Sequence, residues 1–365
     1  MSDSGRSGNG NTVGGRIIDL DVTRAVALIG VCVMNYHGYL IARGADYPPR
    51  TFAERVFDPW QGPLSTRFAA TFVTVPGMGI TLLSGRSRAS HDRVAISADR
   101  WKLLRRGLLL FAFGYFFDWV WPGTILFYYG AFFLLGAMLF TLRSRWIIAL
   151  GVASAIGAAA IQRWALHNRS SWLLQGSAGE TRSPRDLVFD VFVRGTHPLL
   201  PWLLFLCAGI VLARLLPLTS RLRTQLIAAG SACVVLGYLG RSHLPWAPVL
   251  RSTEPFDRAL PYSLTTIGSS LVAVCLIGWL AERTSGSRIT RGLAAAGQMT
   301  LTLYVGHVLV FNLLVDKLHW VAPDGLATAL TFAAGYWLLA VCAAAMWLRL
   351  FRIGPLEWVY RKFSQ

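Results

Sequence analysis

The stretch Arg16-Ile-Ile-Asp-Leu-Asp-Val-Thr-Arg-Ala-Val-Ala-Leu-Ile-Gly-Val-Cys-Val-Met-Asn-Tyr-His-Gly-Tyr39 decides how this chain is read. It opens with Asp19, Asp21 and Arg24, stays apolar to Met34, and closes on Asn35, Tyr36, His37 and Tyr39. At a helical rise of about 1.5 Å per residue, Arg24 and His37 stand roughly 20 Å apart on one helix. A single segment therefore carries an ionic pair at one face of a bilayer and an imidazole near the other. Ionisable groups at such depths are costly, and they tend to mark function.

The rest of the chain has the same texture. It has 365 residues, 54% of them hydrophobic, in long apolar runs separated by short Arg-rich breaks. That is the pattern of an all-α, polytopic membrane protein rather than of a soluble domain. A formal net charge of +17 would suggest nucleic acid in a soluble chain. In a membrane chain it follows from basic loops held at the cytoplasmic face, so no nucleic-acid partner is expected. The five cysteines stand singly inside apolar runs and read as packing residues, without the spacing of a disulfide framework or metal site. Residues 1–15, rich in Gly, Ser and Asn, read as a disordered cytoplasmic tail, and 16–365 as a single transmembrane helical domain.

Ten spans are predicted, at about 22–42, 64–84, 103–120, 124–142, 145–163, 197–214, 223–241, 262–281, 297–316 and 325–349. The densest basic cluster runs from Arg86 to Arg106, between the second and third spans, and should be cytoplasmic. Counting alternately from it puts both termini inside and His37 near the outer surface, in a plasma (inner) membrane. Trp60, Trp119, Trp121, Trp172, Trp202, Trp246 and Trp320 fall at span ends on the outer side, as an aromatic belt would. Pro76 predicts a kink or local break in the second span, and Pro184–Val193 an interfacial helix.

Several polar groups could carry chemistry. Asp21 and Arg24, three apart, share a helix face as a substrate-binding pair or as an ordinary cap with a snorkelling anchor. His37 is a candidate general base, with Asn35 and Tyr36 beside it and Asp46, Glu54 and Asp58 in the adjoining loop as candidate carboxylate orienters. Tyr304 and His307 also share a face, with Thr300 one turn earlier, either as a reactive centre or as interhelical hydrogen-bond partners. Asp118, Tyr128 and Tyr129 should face the interior. Arg100, Lys102, Arg105 and Arg106 read as a landing site for a phosphorylated donor or as a topology anchor. No P-loop, zinc-ligand spacing or nucleophile elbow is present, and no metal is expected.

Leu20-Asp-x-x-Arg24, followed by a span ending in Asn35, resembles the first span of the YeiB-like bacterial integral membrane proteins. These are relatives of the heparan-α-glucosaminide N-acetyltransferase type; Ala25 stands where the family usually has Gly. His197-Pro-Leu-Leu-Pro-Trp202, Gly297-Gln-Met-Thr-Leu-Thr-Leu-Tyr304 and the closing Gly354-Pro-Leu-Glu-Trp358 fit as well. The resemblance implies transfer of an acyl group, commonly acetyl from acetyl-CoA, to a sugar or lipid acceptor of the cell envelope. His37 is the candidate for the family's outer-face histidine, although its place directly after Asn-Tyr departs from the usual motif. The resulting expectation is a passage continuous from Arg24 to His37. A transporter or flippase is the alternative, for which broken helices in matching halves would speak. An oligomer is compatible with either.

Overall fold

The computed structural model describes residues 12–13, 16–169 and 183–364. The expected disordered tail therefore lies almost wholly outside the described residues, as do Trp172 and the polar segment around it. The regular structure of these residues is helical, apart from a two-residue antiparallel pairing of Thr12–Val13 with Arg16–Ile17.

The helices are α1 (Ile18–Ile41), α2 (Phe52–Val56), α3 (Arg67–Leu83), α4 (Gly85–Ser90), α5 (Arg93–Phe117), α6 (Leu126–Leu139) and α7 (Ser144–His167). After the undescribed segment come α8 (Pro184–Phe189), running on into a π-turn at Asp190–Arg194, α9 (Leu199–Arg214), α10 (Ser220–His243) and α11 (Leu260–Arg283). Then follow α12 (Arg288–Gln298), α13 (Thr300–Phe311) with a π-turn at Asn312–Lys317, α14 (Leu326–Leu350) and α15 (Pro355–Ser364).

Helix α1 is the hub: α3, α11, α12, α13 and α14 all pack against it. Small residues set these approaches, as is usual where helices associate without a hydrophobic driving force. Gly77 of α3 faces Gly209 of α9, and Gly297 lies directly on the backbone of Asp21, where a Cβ would overlap the Asp21 carbonyl.

Each of the predicted spans falls on a helix, but length and composition support fewer crossings. Among the described residues, helices α7, α10, α11 and α14 are long and apolar enough to cross a membrane, which makes 4, or up to 6 if each bent pair counts as one span. The bent pairs are Pro184–Arg194 with Leu199–Arg214, at 57°, and Arg288–Gln298 with Thr300–Lys317, at 85°. The expectation of ten took every apolar run as a crossing. Helix α6 has only 14 residues, roughly 21 Å of helix, well short of a hydrocarbon core of about 30 Å.

Three local expectations change. Helix α3 runs unbroken through Pro76. Proline removes the bond its nitrogen would give to the carbonyl four residues back, and that carbonyl, Phe72 O, instead accepts a 2.6 Å hydrogen bond from the Tyr129 hydroxyl. Trp121 and Trp202, placed in an outer belt by position, are each 1% exposed and belong to the packed core. The Pro184–Val193 segment turns Asp190 inward, where it pairs with buried Arg194 at 3.0 Å.

Both described ends of the chain lie at the end of the bundle that carries Arg106. Helix α15 packs on α5, and the Arg106 Nε donates to Ser364 Oγ at 3.3 Å.

Candidate functional site

A cavity of about 540 Å³ opens at this end and runs up between α1, α3, α5, α6, α13 and α15. Its mouth carries Asp21, Arg24, Arg106, Glu357 and Arg361. Its walls are apolar, with Phe72, Leu103, Leu110 and Phe133, and Tyr129 and Tyr304 stand among them. Three guanidinium groups face two carboxylates there, and both carboxylates are engaged. Asp21 Oδ1 lies 3.3 Å from Arg24 Nη1, and Glu357 accepts from the first backbone N–H groups of α13. The mouth thus presents net positive charge to whatever enters.

Tyr304 closes the deep part of the cavity. Its hydroxyl pairs with Thr124 Oγ1 at 3.0 Å and accepts from the Ile125 N–H. Asp118 fixes the loop that delivers Thr124, accepting from the N–H groups of Gly123 at 2.9 Å and Thr124 at 3.2 Å. His307, fully buried, sits one turn beyond Tyr304, and its Nδ1 bonds to the Tyr304 carbonyl. A carbonyl can only accept, so Nδ1 carries the proton and Nε2 presents its lone pair. That lone pair meets the Asn35 amide at 3.3 Å. Tyr36 donates to the His307 carbonyl at 3.1 Å and stacks with Phe311 and Phe332. Arg24 and Asn35 lie eleven residues apart on α1, so mouth and imidazole are separated by about 16 Å along the helix.

The expected continuous passage from Arg24 to His37 is not what the structure contains. His37 lines a separate, small pocket with Ile41, Asp46, Tyr47, Pro49, Glu54, Asp58, Gly325 and Leu326, and no residue lines both pockets. The reason lies in α1 itself. Asn35 and Tyr36 turn toward α13, whereas His37 turns toward the following loop. The loop acids do gather around His37 as the sequence suggested, but its Nδ1 is held by the Phe57 carbonyl at 2.9 Å rather than by a carboxylate. Glu54 accepts from the N–H groups of Thr51 and Arg50, which hold its carboxyl below the usual carboxylate range.

The other sequence candidates divide. Among the predicted donor-binding residues, Arg106 faces the cavity. Lys102 and Arg105 line a different surface depression, and Arg100 donates to the Ala137 carbonyl at 3.0 Å and lies over the Phe140 ring. Tyr128 stands elsewhere, accepting from Thr196 N–H and edge-on to His197. Arg361, Glu357 and Thr124 were not singled out from sequence as site residues. Glu357 sits inside the Gly354-Pro-Leu-Glu-Trp358 motif, the only signal that could have found it; nothing local marks Thr124.

Fold and site together define an all-helical membrane protein with a basic-mouthed, apolar-walled internal cavity ending at Tyr304, behind which His307 and Asn35 are bonded. The description "Heparan-alpha-glucosaminide N-acetyltransferase, catalytic" matches residues 16–246, and the chain belongs to that family of transmembrane acetyltransferases. A second family, "Protein of unknown function (DUF418)", matches residues 204–365. The "Uncharacterized protein YeiB" of Escherichia coli (strain K12) is similar, 23% identical over 387 residues that cover 96% of each chain. The cavity draws Leu20 to Phe133 from the first matched segment and Gly297 to Arg361 from the second.

Proposed function

We propose that this chain transfers an acyl group, in the first instance acetyl, from a cytosolic CoA thioester to a glycan or lipid acceptor of the cell envelope, within the plasma membrane and with both termini cytoplasmic. The observation that carries this reading is the cavity joining Arg24, Arg106 and Arg361 to Tyr304. Arginine forks suit phosphate oxygens, donating two parallel hydrogen bonds at once. The apolar walls suit the pantetheine arm, and 540 Å³ falls within the roughly 300–1,000 Å³ of small-molecule sites. The thioester carbonyl then lies near Tyr304, whose hydroxyl would donate to a developing oxyanion while accepting from Thr124 Oγ1 and the Ile125 N–H.

His307 is the general base in this reading. The acceptor hydroxyl or amine replaces the Asn35 amide at Nε2, gives up its proton there and attacks the thioester carbonyl. The carbon–sulfur bond breaks, and the departing thiolate takes the proton back from the imidazolium. The Nδ1–H bond to the Tyr304 carbonyl orients the ring. What supports His307 over His37 is that the cavity ends at the residue bonded to His307, whereas His37 lines the outer pocket.

The test is purified protein incubated with acetyl-labelled acetyl-CoA and envelope extract. The wild type and His37→Ala are expected to transfer label, and His307→Ala to lose transfer by about 100-fold or more, the usual range for a general base. No transfer by the wild type would refute the activity. Loss in His37→Ala with retention in His307→Ala would return the base role to His37.

A further inference from the structure

The 85° bend between α12 and α13 falls at Met299, between the cavity-lining Gln298 and Thr300, and leaves the first N–H groups of α13 with no partner in their own helix. Met299 makes no side-chain cap. The cap arrives instead from 55 residues on, from the C-terminal helix. Glu357 Oε1 accepts from Leu301 N–H at 2.7 Å and Thr302 N–H at 3.1 Å, while Oε2 accepts from the Thr302 hydroxyl at 2.5 Å. Thr302 Oγ1 in turn accepts from Leu356 N–H at 3.1 Å, which closes a reciprocal clasp between the two helix starts. A carboxylate here also answers the positive end of the α13 dipole. Tyr304 and His307 lie on the first two turns of α13, directly above the clasp.

Gly354 has a specific reason to be glycine, since a Cβ there would collide with the Glu357 carboxylate. Tyr360 and Arg361, on the same helix as Glu357, line the cavity mouth, and Arg106 lies over the Tyr360 ring at 5.4 Å. The short C-terminal helix therefore touches both ends of the proposed chemistry: the cationic mouth, and the start of the helix that carries the reacting groups.

We infer that Glu357 is a positioning residue for acyl transfer: by capping α13 from another helix it fixes where Tyr304 and His307 stand relative to Thr124 and Asn35. The inference rests on the acyltransferase reading above. It adds a residue that acts through α13 rather than on the reacting atoms, and it gives α15, folded back under the cavity, a part in the chemistry. Glu357 also fills the anion seat at the α13 N-terminus, which leaves donor phosphates to the arginines at the mouth.

The test compares Glu357→Ala and Glu357→Gln with wild type in acetyl transfer and in amide hydrogen exchange of residues 300–307. In Glu357→Ala, kcat is expected to fall about ten- to a hundredfold, the cost of a small misplacement of reacting groups, with KM for acetyl-CoA within about twofold of wild type. Exchange of the 300–307 amides should rise. Formate, small enough to enter the cavity Glu357 lines, should restore part of kcat in Glu357→Ala, a rescue that a general loss of folding would not show. Glu357→Gln, which keeps an accepting oxygen without the charge, should fall between the two. Unchanged kcat, unchanged exchange at 300–307, or a lower kcat that formate leaves untouched would each overturn the inference. If wild type transfers no acyl group, the acyltransferase reading fails, and the exchange measurement still decides whether Glu357 holds α13 in place.

Discussion

Residue scale. Tyr129 and Pro76 form a pair that neither residue alone would reveal, because the hydroxyl of one satisfies the carbonyl that the ring of the other leaves open. Leaving such a buried carbonyl unpaired costs about 1–3 kcal/mol. Tyr129→Phe should therefore lower stability by that amount in the Pro76 protein. It should cost much less beside Pro76→Ala, where the backbone N–H is restored. A double-mutant cycle on thermal unfolding in detergent measures the coupling, and additive effects would show that the two are unrelated. Arg24 offers a second prediction. Losing a charge-assisted hydrogen bond of about 1.5–3 kcal/mol, Arg24→Gln should raise KM for acetyl-CoA roughly tenfold or more while kcat changes little, as steady-state kinetics would show. Asp21, Arg24, Asn35, Tyr304 and His307 were legible from sequence because each interrupts an apolar run, and the lipid makes such interruptions expensive. The partner of each was not. Asn35 and His307 are 272 positions apart, and which side of α1 faces which helix is decided only by packing.

Element scale. Helix α1 organises the bundle through its contacts with five other helices. Asn35, Tyr36 and His37, expected to stand together, meet two different neighbours. Consecutive residues on a helix point about 100° apart, so Tyr36 and His37 serve different neighbours. The broken helix α12–α13 was legible only as an apolar run near 297–316. The break is capped from α15, and no local signal announces it. The close seating of α12 on α1 gives a prediction at this scale. Gly297→Val places side-chain atoms against the Asp21 backbone and should destabilise by roughly 1–3 kcal/mol, the usual range for overpacking. Gly335, with nothing within 4 Å, is the control. A Gly297→Val melting temperature no lower than that of Gly335→Val would contradict the packing described.

Whole-molecule scale. Composition made a polytopic helical protein legible, but not the number of crossings, because buried short helices and lipid-facing helices are equally apolar in sequence. Both described chain ends meet at the basic end of the bundle, so a membrane-impermeant thiol reagent applied outside intact cells should label Tyr47→Cys and spare His91→Cys in a Cys342→Ser background. The opposite pattern would invert the proposed orientation. The central claim is that the cavity between Arg24 and Tyr304 holds an acyl-CoA, and calorimetric titration of the purified protein with acetyl-CoA tests it most directly. The account predicts saturable binding by wild type, binding at least about tenfold weaker when Arg24 and Arg106 are both replaced by Ala, and none when Leu110→Trp fills the apolar wall. Absence of binding by wild type, or affinity unchanged in both variants, would contradict it.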